Sequence, residues 1–102
     1  MIRHLVLTRF RHEASAGEIA AVFNDLRDLR RHMPGMLNFH AGANVSPEAL
    51  ARGYSHAIAI DFADSASRDA YLIDPAHKAA GARLVAACAG GVDGVLVIDI
   101  EI

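Results

Sequence analysis

Residues 2–10, Ile-Arg-His-Leu-Val-Leu-Thr-Arg-Phe, constrain this chain more than any other segment. They alternate as a strand does. Ile2, His4, Val6, Thr8 and Phe10 share one face, and Leu5 and Leu7 share the other. Both faces are largely apolar, so both need cover. Residues 95–102 repeat the pattern, with Leu96, Ile98, Ile100 and Ile102 opposite Val95, Val97, Asp99 and Glu101. A sheet built from such strands must bury both of its sides.

Two further strands are predicted, over 36–43 and 55–62. In the second, His56, Ile58, Ile60 and Phe62 face one way. Ala57 and Ala59 face the other, and their small side chains read as room for a closely packed helix. Residues 44–53 form the loop between these strands.

Helix signals fill the remaining stretches. Ser15-Ala16-Gly17-Glu18 reads as a capping box, with Ser15 accepting from the Glu18 N–H and Glu18 reaching back. Ile19, Val22, Phe23, Leu26 and Leu29 form an apolar stripe, so a helix runs to about His32 and stops at Met33-Pro34-Gly35. Asp64 or Ser65 caps a short helix that ends near Asp74. Asp74 as N-cap and Pro75 at the first helical position then start another, to about Ala89. Gly90, Gly91 and Gly94 make a turn. They follow a helix and precede a strand, the reverse of a phosphate-binding loop.

The resulting order is β-α-β-β-α-α-β. With right-handed crossovers, its compact solution is a ferredoxin-like βαββαβ fold of the α+β class. Four antiparallel strands lie in the order 4-1-3-2 with the helices on one face. The 102 residues make one domain, 1–102. The second sheet face stays apolar and uncovered, so a homodimer through that open face is expected. A hydrophobic content of 53% and a mean hydropathy of +0.23 fit a second interface or a lined pocket.

Composition also narrows the partners. Ten basic residues face twelve acidic ones, for a net charge of −2. Arg27, Arg30 and Arg31 are broken by Asp25 and Asp28, which reads as a solvated helix face and not as a nucleic-acid footprint. No apolar run approaches a membrane span, and the first residues alternate too strongly for a signal peptide. A cytoplasmic protein is therefore expected, and Asn44-Val45-Ser46 is set aside as a glycosylation site. The lone Cys88 leaves no intrachain disulfide and reads as a small buried hydrophobe.

Several segments together resemble the stress-responsive A/B barrel domain (Dabb) family, within the dimeric α+β barrel superfamily. They are Ile2-Arg3-His4-Leu5-Val6, Pro34-Gly35, Asn44-Val45-Ser46, Gly53-Tyr54-Ser55-His56 and, most specifically, Tyr71-Leu72-Ile73-Asp74-Pro75-Ala76-His77. The resemblance covers essentially the whole chain. It implies a dimer whose two sheets face each other as a barrel. Plant members include stress proteins and a cyclase that closes a polyketide chain by aldol condensation. Tyr71 and His77 match the catalytic pair of that enzyme, and His4 and His56 match further site positions. The bulkier aromatic residues of its alkyl pocket are mainly Ala and Leu here.

The chemistry suits these residue types. An aldol closure needs a base next to a carbonyl and a donor for the enolate oxygen. A histidine titrates near working pH and fits the first role. A tyrosine hydroxyl in a dry pocket fits the second. Tyr71 and His77 are six residues apart, which on one continuous helix would place them on different faces. The break at Asp74-Pro75 can re-aim the second helix. Pro-Ala-His at a helix start serves equally as a structural hydrogen-bonding device, so both roles stay open.

Antiparallel pairing of strands one and three with matched ends sets His4 beside Ile60 to Phe62, away from His56. The six histidines, at 4, 12, 32, 40, 56 and 77, form no His-x-His or His-x-x-x-His pair, so no metal site is expected. Members of the wider superfamily that degrade haem leave no further haem signal in this chain, and no cofactor is expected. Two readings follow. One is a small-molecule binder or enzyme with a cleft lined by Tyr71, His77, His4 and His56. The other is a non-catalytic stress or assembly protein.

Overall fold

Four strands, Ile2–Thr8 (β1), Met36–Ala43 (β2), His56–Phe62 (β3) and Val95–Glu101 (β4), pair antiparallel in the order β2-β3-β1-β4. This is the arrangement in the computed structural model, which describes residues 1–102. Three helices, Ala16–Asp28 (α1), Ser65–Ile73 (α2) and Pro75–Ala87 (α3), complete the ferredoxin-like fold. The first helix continues as a 3-10 turn over Leu29–Arg31, so the helical stretch to His32 is real but tightens at its end. β1 stops at Thr8, two residues early. Phe10 instead forms an isolated bridge to Cys88, after the end of α3.

The helix starts follow local chemistry. The Ser15 hydroxyl accepts from the Glu18 N–H at 3.1 Å. The return half of the capping box is absent: Arg11 Nη2 holds both Glu18 oxygens, at 2.6 and 2.9 Å. A charged donor from the preceding segment out-competes the Ser15 backbone N–H for that carboxylate. Asp64 caps α2 by accepting from Ser67 N–H, and Asp74 caps α3 by accepting from His77 N–H.

The helices lie on the face formed by Ile2, His4, Val6 and Thr8 of β1 with Ile58, Ile60 and Phe62 of β3, all buried. Val22, Phe23, Leu26 and Leu29 complete the core from the α1 side. Ala57 and Ala59 therefore point away from the helices, contrary to the expectation that their size made room for one. The large β-branched and aromatic side chains fill the volume under the helices, which bury more apolar area that way.

Gly35 holds α2 close to the chain before β2. A Cβ there would collide with the Ser67 side chain. That contact lies one turn before Tyr71, so it helps to seat the helix that carries the candidate donor.

The opposite sheet face is open. Register places Leu5 between Ala59 and Ile98, and Leu7 between Ala57 and Leu96. Leu96, Ile98 and Ile100 are exposed there. Arg3 grips Asp61 on the same face through two hydrogen bonds, of 2.8 and 3.1 Å, and Asn38 adds a third at 3.3 Å.

Candidate functional site

Helix α2 ends where Asp74 turns extended, with φ −64° and ψ 129°. The chain re-enters a helix at Pro75, along a new axis. This bend brings the Tyr71 and His77 rings together, with centroids 3.9 Å apart and planes tilted by 36°. Tyr71 stands in the last turn of α2 and His77 in the first turn of α3. The Asp74 carboxylate fixes the corner: one oxygen accepts from the His77 backbone N–H at 3.0 Å, and the other meets His32 Nε2 at 3.0 Å.

The pair borders a cavity of about 180 Å³ between the helices and the sheet. Its walls are mainly aliphatic, with Leu26 from α1, Leu84 from α3, and Ile58 and Val97 from the sheet. His4 reaches the same cavity from β1. Its ring lies edge-on to Tyr71, at 5.8 Å between centroids. Three of the four residues singled out by resemblance therefore share one wall.

His56 does not join them. Register sets His4 opposite Ile60 and His56 opposite Thr8, as matched strand ends require. The His56 ring packs edge-on against Phe10 at 5.0 Å and meets Ser55 Oγ through Nδ1 at 2.9 Å. It borders a wider depression of about 510 Å³, where the 44–54 loop overhangs Leu7 and Leu96. That depression opens on the uncovered sheet face. A cleft lined by all four residues is thus replaced by a three-residue cavity and a separate aromatic contact.

Burial sets the electrostatics. It pushes the Tyr71 phenol well above its ordinary value, so the group stays a protonated donor. It lowers the His77 pKa, opposed by the Leu72 carbonyl beside the ring. His77 Nδ1 is buried and has no hydrogen-bond partner.

One participant escaped the sequence reading. Asp99 Oδ1 meets His4 Nδ1 at 2.6 Å, and Arg68 Nη1 donates to Asp99 Oδ2 at 2.6 Å. A carboxylate following Val95 and Val97 on the helix-facing side of β4 was the available signal, because β1 pairs His4 with Asp99.

Comparison with known proteins agrees with this architecture. A family model described as Stress responsive A/B Barrel Domain (Dabb) matches residues 2–102. The stress-response A/B barrel domain-containing protein HS1 of Arabidopsis thaliana is 30% identical over 98 residues, covering 96% of this chain and 86% of its own. Olivetolic acid cyclase of Cannabis sativa is 25% identical over 80 residues, covering 78% of this chain and 79% of its own. Among solved structures, a protein of unknown function from Jannaschia sp. CCS1, described as dimeric and ferredoxin-like, superposes with a TM-score of 0.91. It is 35% identical, with 99% of this chain and 98% of that one covered. The chain therefore belongs to the stress responsive A/B barrel domain (Dabb) family.

Proposed function

We propose that this protein binds a small, largely apolar carbonyl compound between α3 and the sheet and transforms it by acid–base chemistry carried by its own side chains. The observation that carries this reading is His77 Nδ1, buried without a partner beside an apolar cavity. An unpaired buried polar atom costs roughly 1–3 kcal/mol. Such an atom calls for an explanation, and a ligand group that supplies the missing partner is one.

The chemistry follows from the pair. His77 Nδ1 takes a proton from the carbon next to the carbonyl. Tyr71 O–H donates to the enolate oxygen that forms. The carbanion attacks a second carbonyl of the same molecule, a carbon–carbon bond closes, and His77 returns the proton to the new alkoxide. The similarity to a protein named as a cyclase supports this reaction class. The cavity volume sets the size of the ligand. A pocket of roughly 150 Å³ holds one benzene ring, so about 180 Å³ suits a single-ring compound.

The homodimer belongs to the same reading. Leu5, Leu7, Leu96, Ile98 and Ile100 make one contiguous apolar face. A related structure described as dimeric supports covering it with a second copy.

Titration with cyclohexanone, followed by NMR of the Tyr71 and His77 side chains, tests the site. Shift changes should centre on Tyr71, His77 and Leu84. Changes confined to Ile98 and Leu96 on the open face, or none at all, would contradict the assignment.

A further inference from the structure

We infer that Arg68 and Asp99 are positioning residues that fix the tautomer of His4 and so present its Nε2 to the cavity as a hydrogen-bond acceptor. The inference deepens the reading of the cavity as a ligand site and rests on it. It adds a second acceptor to a wall that otherwise offers His77 Nδ1 and the Tyr71 hydroxyl.

The geometry runs through three elements. Arg68, on α2, donates from Nη1 to Asp99 Oδ2 at 2.6 Å. Asp99, on β4, offers its other oxygen to His4 Nδ1 at 2.6 Å. His4, on β1, is 4% exposed, and its ring borders the cavity. A carboxylate can only accept, so a neutral His4 must carry its proton on Nδ1. Nε2 is then left with its lone pair. Arg68 is anchored in turn by Asp69, whose Oδ1 takes Nε at 2.8 Å. The guanidinium occupies the outer Asp99 oxygen and holds the inner one toward the ring. The groups facing His4 are Asp99 from β4, with Arg68 behind it from α2, Tyr71 from α2 and His77 from α3.

This arrangement has a chemical consequence. A cavity with two acceptors and one donor suits a ligand that carries a hydroxyl as well as a carbonyl. A hydroxy ketone, or the enol of a diketone, accepts from Tyr71 through its carbonyl and donates through its hydroxyl to one of the two ring nitrogens. A simple ketone offers no donor and leaves both acceptors unmet, at the cost of unpaired buried polar atoms.

Nitrogen-15 NMR of the histidine rings reads the tautomer, with the His4 signals assigned by their loss in His4→Gln. In the unmodified protein, Nε2 should resonate as a bare, pyridine-like nitrogen and Nδ1 as a protonated one. Asp99→Asn should reverse them. Arg68 would still claim the oxygen of the new amide, so the amide N–H would face His4 and donate to Nδ1. The double variant Asp99→Asn with Arg68→Met frees the amide to turn, and should restore a share of the Nδ1-protonated form. Phenol added to the unmodified protein should shift His4 Nε2, and should lose affinity by roughly two- to tenfold in Asp99→Asn. A proton found on Nε2 in the unmodified protein, or an unchanged tautomer in a folded Asp99→Asn, overturns the inference while leaving the cavity reading intact. Failure of phenol and cyclohexanone alike to shift Tyr71 or His77 overturns the cavity reading instead.

Discussion

Tyr71 and His77 stand six positions apart in sequence and 3.9 Å apart between ring centroids, because Asp74 turns extended between their helices. Had α2 run on unbroken, the two rings would project from different faces, about 120° apart around the helix. The Asp74-Pro75 corner therefore does more than start a helix: it assembles a pair. Replacing Asp74 by Ala removes the cap on α3 and the His32 contact together. The expected loss is about 1 kcal/mol for the cap, with a fall in ligand affinity beyond what unfolding explains. Denaturant titration alongside cyclohexanone binding separates the two.

The open face makes a paired prediction. Ile98 is half exposed on the uncovered side, whereas Ile60 is fully buried under the helices. Ile98→Arg should yield a folded monomer of about 10.9 kDa where the unmodified protein sediments at about twice that mass. Ile60→Arg should not fold, because it places an unpaired charge in the core. Sedimentation and circular dichroism read both. A monomeric unmodified protein at micromolar concentration would contradict the dimer.

Acid sensitivity follows from Asp61. The Arg3 guanidinium holds its carboxyl below the ordinary 3.8, against the opposing effect of burial, and Asn38 adds to the lowering. A carboxylate whose folded pKa is depressed stabilises the fold above its unfolded pKa and loses that contribution as pH falls through the folded value. Stability should therefore decline below about pH 3.8 and keep declining into the folded range. Asp61→Asn should flatten that limb in thermal melts across pH. An unchanged acid limb would assign the loss to Asp64, Asp74 or Asp99, whose carboxyls are lowered as well.

Stability can separate a chemical from a structural role for His77. His77→Phe keeps a ring against Tyr71 and the Asp74 cap on the backbone N–H, but deletes the unpartnered Nδ1. Thermal unfolding should show a midpoint no lower than that of the unmodified protein. A fall of several degrees would mean that the imidazole nitrogens hold the fold together.

Much of this architecture was legible before any coordinates. Ser15, Asp64 and Asp74 announce helix starts because short polar side chains there satisfy free N–H groups locally. Matched strand ends alone set His4 against Ile60 and away from His56. The choice of sheet face was harder. Alternation shows that β3 has an Ile-Phe side and an Ala side, but not which of them the helices cover. The partner of Glu18 was hidden for another reason: Arg11 lies outside the motif and wins by charge. The chain Arg68–Asp99–His4 joins three segments through side chains alone, and no local period records such a meeting. The same holds for the cavity, whose walls come from every layer of the fold.

A base at His77, facing a carbonyl compound, is the step on which the proposed chemistry turns. Deuterium uptake at the carbons beside the carbonyl of cyclohexanone in heavy water, followed by NMR, reads that step without knowledge of the natural substrate. The unmodified protein should catalyse the exchange. Its rate should hold down to about pH 6.5 and fall only at lower pH, because burial depresses the His77 pKa below that ordinary value. His77→Ala should slow the exchange by roughly 10²–10⁴-fold, the usual contribution of a positioned base. Equal rates for a folded His77→Ala and the unmodified protein would contradict the account.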